Sequence, residues 1–401
     1  MREWNDATAL MRQFTDRTGV TSHREPHRYL WTDAFAVCNL LGLARATGDD
    51  RHTETALRLV DQVHRVLGRY GAKDHRSGWI SGASAAEGEA HPTRGGLRIG
   101  KPQAERGPEE PFDDRREWDR DGQYFHYLTK WMHALDQVTR STGDARFNLW
   151  ARELAASAYA AFSYVDERSG RRRMYWKISI DQSRPLVSSM GQHDPLDGYV
   201  TYVQLHATAL AMGRSDGPDL ADATAEFARM FADTELATGD PLGIGGLLAD
   251  AYRVEQLADQ GAAFERHRLP EPLLIAAGTG LHHWLQRAEL DAPTTQRLAF
   301  RELGLAIGLS AVEAMARPEA RRPARTDRSA SLVRTLSHVL PLRAKLVAFW
   351  READHDEPSW KDHGDINEVM LATALAPEGF LELPPPPERH ARTVRKGTGV
   401  S

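Results

Sequence analysis

The chain has 401 residues, of which 41% are apolar and 27% are charged, and its formal net charge is −5. A chain of this length can bury a large core, as one big domain or as two ordinary ones. Basic and acidic residues are interspersed, so no basic field indicates a nucleic-acid partner. No apolar run has the length of a membrane-spanning helix, and the first residues lack the apolar segment of a signal peptide.

The cysteine content limits the kinds of covalent cross-link and metal site that the protein can have. The single Cys38 excludes an internal disulfide and any multi-cysteine zinc site. Since apolar targeting segments are also missing, we expect a soluble, cytoplasmic protein with no membrane partner.

Helical periodicity dominates the chain, and the predicted helices are of two kinds. After an opening helix at 3–17, segment 30–46 is apolar nearly all round, whereas segment 51–68 carries one apolar stripe. The first kind must be buried on several sides, and the second covers it with one face. The alternation and the helical pattern continue over segments 122–139, 145–163, 199–213, 218–233, 242–258, 271–288, 297–316, 331–352 and 365–376.

This order of about eleven or twelve helices predicts an all-α fold with an inner ring of helices inside an outer ring. The joints between helices agree with it. In "ATGDD" (46–50) and "STGDA" (141–145), the glycine suits the left-handed residue that ends a helix, and the aspartate can cap the next one. In "ATGDPLG" (237–243), Asp240 and Pro241 are a typical N-cap and first-turn pair.

Three stretches interrupt the helical pattern. Residues 80–116 form a long Gly/Pro-rich loop, which in a compact domain is typical of a lid, a binding loop or a disordered segment. Residues 171–180, "RRRMYWKISI", predict a short hairpin or an extended loop. The tail 384–401 has the composition of a disordered segment, so residues 1–383 are predicted to form one domain.

The ring of inner and outer helices joined by TGD turns resembles the (α/α)6 barrel of the six-hairpin glycosidases. "YLWTDAF" (29–35) looks like the aromatic-Asp segment that opens an inner helix in unsaturated glucuronyl hydrolases. "YFHYLTKWMHALDQVTRSTGDARFNLWARELA" (124–155) is similar to a hairpin of the N-acylglucosamine 2-epimerases. The resemblance covers roughly residues 3 to 380 and implies an (α/α)6 toroid, a bacterial-type enzyme of carbohydrate metabolism, and a site at one end of the ring.

The site of such a barrel lies where loops run into the N-termini of the inner helices, so we compared the stretches that precede them. These stretches are 27–33, 117–126, 188–202, 238–246 and 359–369, and at least four of them combine acids with aromatic residues or histidine. The opposite ends, "ARATG" (44–48) and "TRSTG" (139–143), are plain turns. This asymmetry predicts a barrel mouth lined by acids.

Glycoside cleavage needs one carboxyl group to protonate the leaving oxygen and another to activate water or to attack. The candidates for catalytic residues are Asp33, Asp119, Asp121, His193, Asp197 and Asp365. Each has a structural alternative. Asp121 precedes a predicted helix and can be its N-cap, Asp119 can pair with Arg116 or Arg120, and turn formation explains the acid of "GQHDPLDGY" (191–199).

Aromatic side chains can stack on sugar faces, and histidines can hold or move a proton. The candidates for substrate binding are Trp31, Trp118, Tyr124, His126, Trp360 and His363. Core packing is the alternative for the aromatic residues. A buried histidine with satisfied hydrogen bonds is the alternative for His126.

Three hypotheses follow for a protein that acts on or binds a small saccharide. The first is a glycoside hydrolase that uses paired carboxylates at inner-helix N-termini. The second is a sugar epimerase, isomerase or lyase that uses histidine bases, and the third is a non-catalytic carbohydrate- or peptide-binding barrel. No cofactor is expected. A zinc site of His193, Asp197 and His363 lacks the usual ligand spacing, so no metal is expected either.

Overall fold

The computed structural model describes residues 2–232, 234–264, 269–288, 290–317 and 325–386. The predicted disordered tail lies outside the described residues, apart from 384–386. Among the described helices, none combines the length and the apolar composition needed to cross a lipid bilayer.

The described residues form seventeen α-helices and five short strands. The helices are α1 (Arg2–Arg17), α2 (Leu30–Thr47), α3 (Arg51–Leu67), α4 (Ala85–Ala90), α5 (Asp114–Asp119), α6 (Phe125–Thr142), α7 (Ala145–Phe162), α8 (Asp194–Ala211), α9 (Ala221–Met230), α10 (Pro241–Asp259), α11 (Pro270–Leu285), α12 (Ala299–Ala316), α13 (Asp327–Ser337), α14 (Pro341–Glu352), α15 (Pro358–Lys361), α16 (Gly364–Leu375) and α17 (Glu378–Leu381). The strands are β1 (Gln123–Tyr124), β2 (Ser163–Val165), β3 (Arg172–Met174), β4 (Lys177–Ile178) and β5 (Pro185–Val187), and a 3-10 turn spans Thr294–Gln296.

An inner ring of helices closes on itself. Helices α2, α6, α8, α10, α12 and α16 each pack against the next, and α16 returns to α2. Helices α1, α3, α7, α9, α11, α13 and α14 cover this ring from outside. The predicted all-α toroid of alternating inner and outer helices is therefore confirmed.

Burial follows the two kinds of helix that the sequence predicts. In α2, every residue from Leu30 to Leu43 is buried, because the helix is enclosed by ring neighbours and by α3. In α3, only one stripe is buried, and Leu59, Val63 and Leu67 belong to it. Removal of this apolar surface from water holds the outer ring on the inner one.

Small residues let two inner helices approach closely. A Cβ atom on Gly245 of α10 would lie 2.1 Å from the carbonyl oxygen of Gly304 in α12, and one on Gly308 would lie 2.5 Å from the Gly245 Cα. At the far end of the ring, Gly48 and Gly143 end α2 and α6 in the left-handed conformation, as their turns predict.

Three predicted boundaries are wrong. Segment 331–352 is two helices, because Pro341 lacks a backbone N–H and begins α14. Segment 199–213 begins earlier, at Asp194, because Pro195 suits the first turn; His193 to Gly198 is thus a helix start and not a tight turn. Helix α6 begins at Phe125 and not at 122, with Tyr124 as its N-cap.

The strands lie at the mouth of the ring. Strand β1 immediately precedes α6 and forms an antiparallel sheet with β4 and β5, while β2 and β3 form a separate hairpin. The predicted hairpin at 171–180 thus supplies strands to both sheets. Segment 80–116 is mostly irregular, and Leu97 and Ile99 from it are fully buried.

Candidate functional site

A cavity of about 730 Å³ opens at the end of the ring where the inner helices begin. All six inner helices contribute residues to its wall from their first turns or from the residue just before them, including Trp31, His126, Asp197, Arg301 and His363. We call it the central cavity. Its position agrees with the predicted barrel mouth.

A second hollow of about 900 Å³, here the side groove, runs from the rim between α1, α15 and α16. It shares Lys101, Trp118 and Asp119 with the wall of the central cavity. The two spaces therefore form one continuous depression, with Lys101 at their junction.

The sequence-predicted site residues fall into three groups. Those in the wall of the central cavity are Trp31, Trp118, Asp119, His126, His193, Asp197 and His363. Asp365 and Trp360 line only the side groove. Asp33, Asp121 and Tyr124 line neither space.

Asp121 lies behind the wall and is almost fully buried. One carboxylate oxygen is 2.5 Å from Nη1 of Arg98, and the other accepts hydrogen bonds from the backbone N–H groups of Gly100 and Gly122. Because α6 begins four residues later with Tyr124 as its N-cap, the predicted capping role of Asp121 is wrong. Through these contacts with Arg98 and Gly100, Asp121 holds segment 97–103 in place.

Asp33 has the partner that its burial requires. Its Oδ2 accepts a hydrogen bond from the Tyr29 backbone N–H, and Nη1 of the buried Arg28 lies 3.3 Å from Oδ1. Burial raises the pKa of Asp33 to about 6, although Arg28 opposes this rise. Its carboxyl group faces Arg28 and not the central cavity.

Asp365 and Trp360 are engaged within the side groove. Asp365 is 2.6 Å from Nη2 of Arg17 and 3.4 Å from Nδ1 of His27. Trp360 is 6% exposed and stacks on His355, with ring centroids 3.9 Å apart.

Asp194 and Asp197 project from the first turn of α8 into the central cavity. Both are buried, and Oδ2 of Asp194 has no hydrogen-bond partner in the described part of the chain. Burial and the nearby charge of Asp197 raise the pKa of Asp194 to about 8. Gly191 leaves room for this carboxyl group, since a Cβ atom there would lie 2.4 Å from Oδ2.

Asp197 lies in a different electrostatic environment. Burial raises its pKa, but Lys130 and Arg253 outweigh that effect and hold the pKa below its usual value. Nζ of Lys130 is 3.1 Å from Oδ2 of Asp197. Burial also raises the pKa of Asp250 to about 7 against the opposing charge of Arg253, and its carboxyl group is hydrogen-bonded to Asp197. At neutral pH the protonated Asp194 thus lies beside the ionised Asp197.

Two histidines flank this pair. Nδ1 of His126 is 3.7 Å from Oδ1 of Asp194, and burial lowers the pKa of His126 to about 4, so its ring is neutral at pH 7. Nε2 of His193 donates a hydrogen bond to the carbonyl oxygen of Leu236, 2.8 Å away.

Aromatic rings form one side of the mouth. Trp118 is 49% exposed and meets Trp176 edge-to-face at 4.9 Å, and Trp176 packs on Tyr124 at 5.0 Å. Tyr124 is thus a support behind the ring surface that Trp118 and Trp176 present to the cavity. Such flat apolar faces beside polar groups suit a sugar ring.

The described residues were also compared with the requirements of a metal site, which needs several ligand side chains close together. Within the described ranges, no three His, Cys, Asp or Glu side chains are grouped closely enough to hold a metal ion. Three carboxyl groups of the cavity are paired with Lys or Arg: Asp197 with Lys130, Asp240 with Arg301, and Asp250 with Arg253.

Several cavity residues lie outside the predicted set: Tyr29, Lys101, Tyr127, Lys130, Trp176, Asp194, Asp240, Asp250, Arg253 and Arg301. Asp194 stands beside His193 in "HDPLD", and that short acidic motif before an inner helix was its signal. Lys130, Asp250 and Arg253 lie within helices, and only the ring geometry turns them toward the cavity.

Comparison with known proteins identifies the fold. No family model matches the chain, and no curated protein does. A solved structure of the GH76A alpha-1,6-mannanase from Salegentibacter sp. HEL1_6 matches with a TM-score of 0.52 and 11% identity, covering 93% of this chain and 99% of that one. An inactive variant of the same mannanase, in complex with alpha-1,6-mannotetrose, matches with a TM-score of 0.52 and 11% identity over 94% and 99% of the two chains.

That inactive variant carries substitutions at two consecutive aspartates. In the present chain, consecutive aspartates occur at Asp49–Asp50 and Asp113–Asp114. Neither pair lines the central cavity or the side groove. At 11% identity the likeness extends to the fold alone, and the chain shares the (α/α)6-barrel fold of this mannanase.

Proposed function

We propose that this protein is a glycoside hydrolase that cleaves a saccharide in the central cavity, with Asp194 as general acid and Asp197 as the ionised partner. The observation that carries the proposal is the opposed environment of these two carboxyl groups. Pairs of titratable groups whose pKa values are driven apart are the mark of acid and base roles. The glycosidase fold supports the reaction class.

Asp194 has the properties of a proton donor. Its pKa of about 8 keeps it protonated at neutral pH, Asp194 lines the cavity, and its buried Oδ2 has no hydrogen-bond partner among the described residues. The leaving glycosidic oxygen would take this proton as the bond breaks. The neutral ring of His126, near Oδ1, adds no positive charge that would release the proton earlier.

Asp197 has the properties of the second carboxylate. Lys130 and Arg253 keep it ionised, and the hydrogen bond from Asp250 holds its orientation. Retaining enzymes place their two carboxyl groups about 5–5.5 Å apart, whereas inverting enzymes need about 6.5–9.5 Å. Asp197 can therefore serve as the nucleophile of a retaining enzyme or as the base that activates water in an inverting one, and the anomeric configuration of the product distinguishes the two routes.

A sugar epimerase is the second candidate, because His126, which is neutral at pH 7, and His193 both line the same cavity. Two such bases can remove and return a proton beside a carbonyl group. Hydrolysis is the better fit, since epimerisation gives the buried Asp194 and Asp197 no role.

The test is product analysis by chromatography on a panel of saccharides, beginning with alpha-1,6-manno-oligosaccharides and extending to other linkages. Wild type is compared with Asp194→Asn, Asp197→Asn and the control Asp356→Asn. Asp356 lies at the groove, 89% exposed and paired with Lys361. Shorter products from wild type and control but not from the two cavity variants support the proposal. Isomerised sugars of unchanged length, or no product from any saccharide, would refute it.

A further inference from the structure

Lys101 stands apart from the other cations around the site. In the described walls of the central cavity and side groove, the remaining Lys and Arg residues each have a carboxylate within 4 Å: Arg17, Lys130, Arg253, Arg301 and Lys361. Lys101 has no such partner in that part of the structure, although it lines both spaces. A half-buried ammonium group without a counter-ion is costly unless a ligand supplies one.

The acidic groups around Lys101 do not neutralise its positive charge. The groups that act on it are Lys177, Asp119, Asp121 and Glu117. Asp121 is already paired with Arg98, and Glu117 is paired with both Lys177 and Arg106. That leaves Asp119, which is exposed at the rim and more than 4 Å from the lysine. The neighbourhood therefore keeps an unmatched positive charge at the junction.

The setting of Lys101 suits a sugar substituent. Its Nζ lies 5.9 Å from the centre of the Trp118 ring and 5.7 Å from that of Tyr124. Burial, reinforced by the charge of Lys177, lowers the pKa of Lys101 to about 8, and an anion bound beside it would raise that pKa again by stabilising the charged form. Gly100, held by Asp121, fixes the backbone that presents the lysine.

We propose that Lys101 binds an anionic group on the saccharide, so that the substrate of this site is a negatively charged sugar chain and not a neutral one. The group is a carboxylate, a phosphate ester or a sulfate ester, each of which accepts hydrogen bonds from an ammonium group. The Trp118 face contacts the ring that carries it. This inference rests on the proposed function, because it names the substrate class of the same site.

The experiment compares matched ligands by isothermal titration. Trisaccharides of glucose, galactose and mannose are each paired with the corresponding uronate trisaccharide, and sugar phosphates and sulfates form separate arms that identify the anion. The proteins are wild type, Lys101→Met, Lys101→Arg and the control Lys361→Met, whose lysine is paired with Asp356 in the same groove. Thermal melts check that each variant is folded.

We expect at least one anionic ligand to bind wild type about tenfold more tightly than its neutral match, which corresponds to about 1.4 kcal/mol. The preference should vanish in Lys101→Met, persist in Lys101→Arg and Lys361→Met, and weaken as salt is added. Equal affinity for the members of every pair, or a preference that survives in Lys101→Met, would overturn the inference and leave the hydrolase proposal standing. Binding of no saccharide at all would overturn both.

Discussion

Asp194 and Asp197 lie three residues apart in the first turn of α8, face the same cavity, and have pKa values displaced in opposite directions. The difference arises from their neighbours. Asp194 meets a neutral histidine and a glycine, whereas Asp197 meets Lys130 and Arg253. One helix turn thus holds a proton donor and an ionised carboxylate together.

Asp194→Asn should lower kcat/KM about 10²- to 10⁴-fold on glycosides with ordinary sugar leaving groups, because the proton donor is lost. The loss should be much smaller for aryl glycosides whose leaving group needs little protonation. Steady-state kinetics on the two substrate types checks this. Equal losses on both would contradict the role of Asp194 as general acid.

Asp194 should also make stability depend on pH. Between its ordinary pKa near 3.8 and its folded value of about 8, the native state keeps a proton that the unfolded state releases, so the free energy of unfolding falls as pH rises through this window. Asp194→Asn should remove this component. Its stability relative to wild type should rise by at least about 2 kcal/mol from pH 5 to pH 8 in urea unfolding. A pH-independent difference would contradict the buried, protonated state.

Lys130→Met should shift the acid limb of the pH–activity profile upward by about one pH unit or more, since the variant loses the charge that lowers the pKa of Asp197. Activity at pH 5 would then fall more than activity at pH 7. Lys130→Arg, which keeps the charge, is the control and should retain the wild-type profile. If the acid limb of Lys130→Met stays where it is in wild type, Lys130 does not control the pKa of Asp197.

Trp118→Ala should weaken saccharide binding by about 1 kcal/mol or more and leave the melting temperature nearly unchanged, because the ring is half exposed at the mouth. The matched control is Phe112→Ala, whose ring is 54% exposed and lines neither space. Titration calorimetry and thermal melts measure the two effects. Unchanged affinity in Trp118→Ala would remove this ring from the binding surface.

Asp121→Asn should destabilise the protein by about 3 kcal/mol, because it leaves the buried Arg98 without its counter-charge. The folded fraction should still hydrolyse substrate within about tenfold of wild type, since Asp194 and Asp197 are untouched. Denaturant unfolding and kinetics below the melting temperature separate the two effects. Full stability combined with lost activity would return Asp121 to the catalytic candidates.

The sequence was enough to predict the ring but only part of the site. Helix α2 is apolar on all sides and α3 on one stripe only, which places α2 in the inner ring and α3 in the outer ring. The glycine turns mark the end of the ring opposite the mouth. His193 and Asp197 were predictable because polar residues before an inner helix must lie at the mouth. Lys130 shares a helix face with His126, but neither its position nor that of Arg253 in the sequence shows that both act on Asp197 of another helix.

The opposite error concerns Asp121. Its place in "DRDG" before an aromatic run has the same pattern as a mouth residue. Only the path of segment 97–103, which brings Arg98 onto it, shows that its carboxylate is used within the wall. A contact between residues so far apart in the chain has no local sequence signal.

The most direct test of the central claim is a carboxyl-carbon NMR titration of the free protein, with signals assigned through Asp194→Asn and Asp197→Asn. The account predicts that the signal lost in Asp194→Asn titrates near pH 8 and that the signal lost in Asp197→Asn titrates below the usual aspartate range. If both signals titrate together near pH 4, Asp194 carries no proton at neutral pH and the proposed acid–carboxylate pair is wrong.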